Sequence, residues 1–319
     1  MLAPSSSGAE PSTALASLVE TSIAVIGAGQ AASGGYIACP SFEPYRYSWF
    51  RDGAFIADGM SRAGQLESTE RFFDWCAGIV EDRADAIHAG ERLHARYTVD
   101  GRESEVEWLN FQIDGYGLWL WALREHCDRH DRPAGRWSGA VELTVEYLRR
   151  HVAEPCIDWW EERDGFHAAT LASVAAGLDA WNERVELPRP EERLDASLLA
   201  LPLLGRGPAP VTEIEGRLVS VDGGVHRHSE DTYYGGGEWL LLTAMLGLCY
   251  VWLGRVEEAR AKLDWLVQNA GGEGHLPEQS QDHLLAPEMY RPWVERWGPP
   301  ASPLLWSHAM FLTLAAELA

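Results

Sequence analysis

The sequence predicts an all-α fold, and three observations carry that prediction. Apolar residues recur at helical spacing through most of the chain, beginning with Leu15, Leu18 and Val19 at i, i+3 and i+4. Polar capping residues begin such stretches and glycines end them, as after 255–269. Residues of β type are concentrated in one short stretch, 211–221, where a small hairpin is expected.

Ten helices are predicted in chain order. Ser12 or Thr13 can cap the first helix, whose apolar stripe runs to Ile26. The other nine are expected near 54–63, 68–86, 109–127, 139–152, 168–183, 190–201, 236–253, 255–269 and 302–318.

Five long connections separate these helices and are rich in glycine, proline and aromatic residues. They span 27–53, 87–108, 153–167, 202–235 and 271–301. Connections of this length without secondary structure are uncommon in a compact chain and are usually functional. We therefore expect the functional residues to lie on them.

Composition bounds the class of protein. The chain has 319 residues, 46% of them hydrophobic, which excludes wholesale disorder, and no run approaches the ~20 apolar residues of a membrane span. The net charge of −22 disfavours nucleic acid as a partner, because an acidic surface repels phosphates. No Ser/Gly linker and no break in composition divides the chain, so 1–319 is predicted to be one domain.

Cysteine usage and the N-terminus predict a cytoplasmic protein. The five cysteines are odd in number, widely spaced and without a C-x-x-C pair, which fits reduced thiols. Residues 1–12 have neither the basic region nor the apolar region of a secretory signal, although a trimmed mature form would look the same.

A weak internal repeat links two predicted helices. Residues 64–67 and 74–75 match 254–257 and 264–265 at the same offsets. Two helices of similar role in a fold of repeated helix pairs would explain the match, and chance explains it almost as well.

Two motifs have features of a cofactor or metal site. The glycines of 22–32 resemble a dinucleotide-binding turn, but Gly34 and Pro40 interrupt the helix that should follow, so a helix ending at glycine is favoured. His126 and His130 share a predicted helix face, yet the sequence offers no third or fourth zinc ligand nearby. We predict no cofactor and no metal.

The most informative segments mix carboxylates, arginines and aromatic residues in or beside the long connections. Carboxylates and arginines form paired hydrogen bonds with vicinal hydroxyls, and indole faces cover sugar rings. Two carboxyl groups from distant loops can flank a glycosidic bond as acid and base. The alternative for the carboxylates is a solvated acidic surface, and the alternative for the fifteen tryptophans is packing in the core. The segments are 45–52, 108–117, 158–163, 227–236 and 276–279.

These blocks, in this order, resemble glycoside hydrolase family 15, the glucoamylase type, from about residue 32 to the end. The resemblance implies an (α/α)6 barrel of six inner and six outer helices, with long loops at the active-site end. It also implies an inverting exo-hydrolase that releases β-glucose from a non-reducing end. The matching blocks are Tyr45-x-Tyr47-x-Trp49-x-Arg51-Asp52, Trp160-Glu161-Glu162, Arg227 with Asp231-Thr232-Tyr233-Tyr234, and Glu278-Gln279.

The resemblance assigns roles to individual residues. Glu161 resembles the general acid that protonates the leaving oxygen, and Glu278 the general base that activates water on the opposite ring face. Trp108 resembles the tryptophan over the acid, and Gln279 a hydroxyl contact beside the base. The residues that resemble sugar contacts or ring-facing aromatics are Tyr45, Trp49, Arg51, Asp52, Trp108, Asp158, Trp160, Glu162, Arg227 and Gln279.

The chain departs from the family in length and in one motif residue. It is shorter than a typical catalytic domain, and we expect neither a β-sandwich nor a starch-binding appendage. His228 stands where a tyrosine often follows the sugar-binding arginine. We therefore expect a short α-gluco-oligosaccharide of the isomaltose or maltose type as substrate and partner. The oligomeric state cannot be read from the sequence.

The sequence is also compatible with other functions. A trehalase-type member of the same fold would share the motifs, and a sugar-binding protein could retain the pocket without turnover. A related phosphorylase is disfavoured by the Pro-Glu-Gln block at Glu278, and a nicotinamide oxidoreductase by the interrupted glycine motif.

Overall fold

Twelve α-helices occur in residues 10–319, the part of the chain that the computed structural model describes; most of residues 1–12, where a secretory signal would lie, is outside it. The helices are α1 (Glu10–Ala28), α2 (Phe50–Arg62), α3 (Leu66–Glu81), α4 (Ala84–Ala89), α5 (Asp114–Arg129), α6 (Ser138–His151), α7 (Ala168–Ala180), α8 (Val211–Arg217), α9 (Leu240–Trp252), α10 (Val256–Gln268), α11 (Tyr290–Trp297) and α12 (Leu305–Glu317).

The helices form the expected (α/α)6 ring. Helices α2, α5, α7, α9 and α12 pack as an inner layer, which closes where α12 meets α2. Between α7 and α9 the inner position is filled only by a 3₁₀-helix, Ala196–Ala200, and residues 181–195 before it contain no helix. Helices α1, α3, α6 and α10 pack outside this layer. Among the described residues, the inner layer therefore consists of five α-helices and one 3₁₀-helix, and four α-helices pack outside it.

The sequence of each layer matches its surroundings. Helix α9 has no charged residue and is buried from Leu240 to Tyr250, as a helix enclosed on all sides must be. The inner helices α5 and α7 approach most closely where Gly177 faces Gly117, since a Cβ on Gly177 would lie 2.2 Å from the Gly117 carbonyl oxygen. Glycine is required there by backbone contact.

The helix expected over 190–201 is wrong. Only the 3₁₀-helix Ala196–Ala200 forms, capped by the Asp195 carboxylate, which accepts a 2.8 Å hydrogen bond from the Ser197 amide. Pro190 and Pro202 flank it, and Pro202 cannot continue a helix because it lacks an N–H and clashes with the preceding turn.

The hairpin expected over 211–221 is largely wrong as well. Residues 211–217 form α8, because Val211 and Ile214 are three apart and bury the same helix face. A single bridge between Val219 and Val225 is what remains of the expected strands. Helix α11, within the connection 271–301, was not predicted.

Within residues 10–319, three antiparallel two-stranded ribbons hold the long connections over one end of the ring. Strand β1 (Ser48–Trp49) pairs with β2 (Arg96–Tyr97), β3 (Cys156–Ile157) with β4 (Asp164–Gly165), and β5 (Glu238–Trp239) with β6 (Gln279–Ser280). Strands β1 and β5 lead directly into inner helices α2 and α9. The connections therefore gather at the N-terminal ends of the inner helices.

The internal repeat occupies equivalent places in the ring. Gly64 and Gly254 end the turns after inner helices α2 and α9, with φ of 76° and 75°. Trp75 and Trp265 are both buried on the outer helices that follow. The repeated sequence thus coincides with a repeated helix-turn-helix unit.

The glycine motif and the histidine pair take part in the packing of the helices. Residues 22–28 belong to α1 rather than to a strand. His126 and His130 both contact the hydroxyl of Ser61, at 2.9 and 3.1 Å. All five cysteines are buried and unpaired, and in the described range no helix has the length and apolar character needed to cross a membrane.

Candidate active site

A cavity of about 380 Å³ opens at the N-terminal ends of the inner helices. Its size is at the small end of the range for small-molecule sites, ~300–1,000 Å³. Ten of the twelve residues predicted for the site line it: Tyr45, Trp49, Arg51, Asp52, Trp108, Trp160, Glu161, Glu162, Arg227 and Glu278.

Glu161 lies in the loop of the β3–β4 hairpin, in a backbone conformation that is rare for its residue type. Its φ is 62°, in the left-handed region, where a side chain other than glycine costs free energy. The carboxylate of Asp158 stabilises the loop by accepting hydrogen bonds from the amides of Glu162 at 2.8 Å and Arg163 at 3.2 Å. The loop thereby presents Glu161 to the cavity.

Three N–H groups hold the Glu161 carboxyl group. Oε1 accepts hydrogen bonds from the Trp49 indole and the Gln112 amide, each at 2.8 Å, and Oε2 accepts one from the Trp108 indole, also at 2.8 Å. The Arg51 guanidinium lies 3.7 Å from Oε1. Oε1 thus has both lone pairs engaged, which leaves Oε2 as the oxygen that can carry a proton.

Glu278 is a buried carboxyl group with one oxygen that lacks a hydrogen-bond partner among the described residues. It is 2% exposed, and the oxygen without a partner is Oε2. Burial raises the pKa of Glu278 to about 7, against the lowering effect of nearby Tyr45 and Arg227. Its backbone is fixed from both sides, since its amide donates to Ala301 and its carbonyl accepts from Leu240.

Arg51 and Asp52 occupy the first turn of α2. Arg51 donates to Gln112 at 2.7 Å and to Asp114 at 3.0 Å, while its buried Nε lies 3.7 Å from Asp52 and has no hydrogen-bond partner in the described part of the chain. Burial raises the pKa of Asp52 to about 7. Their adjacency offers an incoming hydroxyl both a donor and an acceptor.

A second charged group stands on another wall of the cavity. Arg227 donates to Asp231 at 2.8 and 2.5 Å and to Glu162 at 2.7 Å, and His228 lies 3.1 Å from Glu162. Burial raises the pKa of Glu162, but the His228 hydrogen bond and the Arg227 charge outweigh it and lower the value to about 2. Glu162 is therefore ionised at neutral pH.

The same cluster has the donor set of a small cation site. Ligand atoms of Glu162, His228 and Asp231 lie within 4.8 Å of one another. The Arg227 guanidinium already bridges both carboxylates and supplies the positive charge that an ion would bring. We therefore interpret this cluster as an arginine-centred ion pair.

Indole rings form much of the cavity wall. Trp160 is held by its N–H, which donates to both carboxylate oxygens of Asp195 at 3.0 and 2.9 Å, and it packs on Trp239. Eight of the fifteen tryptophans line the cavity, so much of the tryptophan content serves this site. They are Trp49, Trp108, Trp159, Trp160, Trp239, Trp293, Trp297 and Trp306.

Two predicted sugar contacts do not line the cavity. Asp158 instead fixes the loop of Glu161, as described above. Gln279 follows Glu278 in an extended strand and so points to the opposite side, where its side-chain oxygen accepts a 2.9 Å hydrogen bond from the Gly237 amide. Both side chains therefore accept hydrogen bonds from backbone amides in this structure.

Several residues that build the site were not among those predicted. Gln112 and Asp114 lie in the segment 108–117, whose polar residues were the available signal. No motif in the sequence indicated Asp195, Trp306 or α11. Their contribution depends on which elements the ring brings together.

A ring of paired helices with two carboxyl groups on an aromatic, arginine-lined cavity defines a glycoside hydrolase. Residues 13–187 match glycosyl hydrolases family 15, and the chain belongs to that family. It is similar to the isomaltose glucohydrolase of Kribbella flavida, with 37% identity over 357 aligned positions that cover 94% of this chain and 92% of that protein. The alignment is longer than the chain itself, so the relative carries segments that this chain lacks.

Solved structures agree with this membership. A glycosidase in complex with glucose superposes with a TM-score of 0.89 at 36% identity, covering 98% of this chain and 99% of that one. The glucoamylase of Saccharomycopsis fibuligera superposes with a TM-score of 0.76 over 97% and 96% of the two chains. At 16% identity, the latter shows a likeness of fold alone.

Proposed function

We propose that this family 15 enzyme removes single glucose units from the non-reducing ends of short α-linked gluco-oligosaccharides, with isomaltose as the preferred substrate and inversion at the anomeric carbon. The observation that carries the proposal is the contrast between two carboxyl groups on one cavity. Glu161 is held by three N–H donors, whereas Glu278 is buried with an oxygen that has no partner.

Glu161 acts as the general acid. Its proton lies on Oε2 and passes to the glycosidic oxygen as the bond to the anomeric carbon breaks, so the leaving sugar departs as a neutral alcohol. The hydrogen bonds from Trp49, Trp108 and Gln112 fix the carboxyl group, which reduces the entropic cost of reaching the reactive geometry.

Glu278 acts as the general base. The unpartnered Oε2 accepts a proton from a water molecule, whose oxygen attacks the anomeric carbon from the face opposite the leaving group. The product is then β-glucose. Glu278 has gained one proton and Glu161 has lost one, so the net charge of the pair is unchanged. Inversion needs room for this water, so the two carboxyl groups should stand ~6.5–9.5 Å apart.

The charged walls of the cavity support recognition of a terminal glucose. Arg51 with Asp52 on one side and Arg227 with Glu162 on another supply donors and acceptors for hydroxyl groups. The small cavity volume favours a single glucose ring with a short leaving group over an internal segment of a long chain.

Isomaltose is proposed because the 37% identical relative is an isomaltose glucohydrolase. The test is incubation of the chain with isomaltose, maltose, trehalose and soluble starch at equal glucose content, followed by measurement of initial glucose release. We expect the highest kcat/KM for isomaltose and little release from starch. A preference for trehalose would instead assign the trehalase-type specificity.

Active-site variants separate catalysis from binding alone. Glu161→Gln and Glu278→Gln should each lose about 10²–10⁴-fold in kcat while they still bind glucose, because each amide keeps the shape but not the proton transfer. A wild-type chain that binds isomaltose without hydrolysis would identify a sugar-binding protein and overturn the proposal.

The cytoplasm is the proposed compartment and the oligosaccharide the proposed partner. Five buried, unpaired cysteines are compatible with a reducing environment. Fractionation of the producing cells tests this point, with the protein expected beside cytoplasmic markers and its recovery from the medium contradicting it.

A further inference from the structure

Arg96 is a buried arginine that packs on the two indoles bound to Glu161. It lies on β2 directly opposite Trp49 on β1, and it is 1% exposed. Its guanidinium carbon stands 3.7 Å from the centre of the Trp108 ring, 4.2 Å from that of Tyr47 and 5.2 Å from that of Trp49. Three aromatic rings therefore surround one positive charge.

No carboxylate among the described residues forms a hydrogen bond with Arg96. Its Nη1 donates to the carbonyl of Pro44 at 3.2 Å, while its Nε and Nη2 are buried without a hydrogen-bond partner in the described part of the chain. Burial lowers the pKa of Arg96, and the nearby charge of Glu161 opposes that effect. A buried charge held in this way costs stability, and an apolar side chain of similar volume usually packs as well or better. Packing alone therefore does not account for this arginine.

The two indoles that pack on Arg96 are the ones that donate to the Glu161 carboxyl group. Trp49 donates to Oε1 and Trp108 to Oε2, each at 2.8 Å. The two indole rings also meet edge to face, with centroids 6.2 Å apart. Arg96 thus contacts both indole donors to the acid, one on each carboxyl oxygen.

Trp108 depends on this contact because its own segment of chain gives it little support. Residues 98–113, between β2 and α5, contain no helix or strand. Val106 and Leu109, on either side of Trp108, are 58% and 48% exposed. The guanidinium is a rigid planar group, and its contact with an indole face is strongest where water is excluded. Arg96 therefore holds the Trp108 ring where its N–H reaches Glu161.

We propose that Arg96 is a positioning residue for proton transfer, which fixes the Trp49 and Trp108 indoles on Glu161 and supplies a positive charge near it. The inference rests on the proposed glucosidase function. Glu161 becomes a carboxylate when its proton passes to the glycosidic oxygen, and the Arg96 charge favours that carboxylate. Arg96 does not line the cavity, so it acts through these groups and not on the sugar.

The test compares two substrates that share the transferred glucose and differ in their need for an acid. The sugar that leaves from isomaltose needs a proton on its oxygen, whereas fluoride leaves α-glucosyl fluoride as a stable anion. Arg96→Met keeps most of the volume and removes the charge and the planar group. It should lower kcat for isomaltose about tenfold, leave KM within about twofold, and change kcat for α-glucosyl fluoride by less than about twofold.

Stability separates this role from a purely structural one. Because the buried charge is costly, the unfolding temperature of Arg96→Met should equal or exceed that of the wild type. Arg96→Lys keeps a cation but not the planar group, so its loss on isomaltose should be smaller, about threefold, and absent on α-glucosyl fluoride. If Arg96→Met does not fold, the same comparison of substrates with Arg96→Lys decides the proposal.

A matched control is Arg124→Met. The Arg124 guanidinium also packs on an indole, 4.2 Å from the Trp181 ring centre, and it donates to the backbone carbonyl of Ala180 at 3.1 Å. It does not line the cavity, and its replacement should leave kcat for both substrates unchanged. Equal losses of Arg96→Met on both substrates, or no loss on either, overturn the positioning role. A wild-type chain inactive on both substrates overturns the proposed function itself, and this role with it.

Discussion

The indole nitrogen of Trp108 lies 2.8 Å from Oε2 of Glu161, although 53 residues separate the two along the chain. Trp108 comes from the connection before α5 and Glu161 from the β3–β4 hairpin, so the fold alone creates this contact. Because Oε1 is already occupied by two other donors, the Trp108 bond orients the oxygen that we assign as proton donor.

Trp108→Phe should therefore reduce catalysis while folding is retained. Loss of a hydrogen bond to an ionisable group is worth ~1.5–3 kcal/mol, which predicts about a 10-fold to 100-fold lower kcat on isomaltose. The measurement is steady-state kinetics together with thermal unfolding.

The control for that variant is Trp137→Phe. The Trp137 indole also donates to a carboxylate, Asp74, at 2.8 Å, but far from the cavity wall. It should change stability and leave kcat unaltered. Similar kinetics for the two variants would show that the Trp108 bond has no special part in catalysis.

The pH dependence of kcat/KM should reflect the buried base. Glu278 acts only when deprotonated, and burial raises its pKa to about 7. The acidic limb of the profile should therefore have its midpoint near this value, with activity falling about tenfold per unit as the pH drops below it. A midpoint of the acidic limb near ~4.3, the ordinary pKa of glutamate, would contradict this role. Asp52→Asn, which removes the other group raised to about 7, should keep the limb.

Azide should rescue one catalytic variant and not the other. Glu278→Ala leaves space and no base, so an azide ion can take the place of the activated water and form β-glucosyl azide. Glu161→Ala lacks the proton donor, and azide should not restore its activity on isomaltose. Product analysis of both variants with and without azide is the measurement. Azide rescue of Glu161→Ala alone would reverse the two assignments.

His308 should make the protein sensitive to acid. Burial lowers its pKa to about 3, and its ring accepts a 3.0 Å hydrogen bond from the Leu276 amide, two residues before Glu278. In the unfolded state, His308 takes up a proton near the ordinary histidine pKa of ~6.5. The folded state therefore keeps its full stability above that pH and loses stability relative to the unfolded state as the pH falls below it.

His308→Gln should accordingly flatten this dependence. Glutamine can accept from the Leu276 amide but does not titrate. The urea midpoint of the wild type should fall between pH 7 and pH 5 by more than that of the variant. Equal changes for both proteins would show that His308 does not set the acid sensitivity.

The sequence could predict the fold class and most of the site because those signals are local. Helical periodicity identified the inner and outer helices, and the blocks around Arg51, Glu161, Arg227 and Glu278 each combine their charged and aromatic residues within a few positions. The ring then brings four such blocks to one cavity.

The rest depends on three-dimensional context. Prolines at 287, 292, 299 and 300 conceal α11, although Trp293 and Trp297 have helical spacing. Gln279 is adjacent to Glu278 in sequence, and only the β5–β6 pairing turns it away from the cavity. The short 3₁₀-helix at Ala196 replaces a helix because Pro202 ends it, and Asp195 holds Trp160 only once that turn is in place.

The most direct test of the central claim, that Glu161 and Glu278 act as acid and base across one glucose, is the anomer released first. Proton NMR of the hydrolysis of α-glucosyl fluoride in its first minutes, before mutarotation, distinguishes the two anomeric protons of free glucose, and this substrate releases no second glucose from a reducing end. The account predicts that β-glucose accumulates first and that the α-anomer follows at the rate of spontaneous mutarotation. Initial release of α-glucose would contradict it.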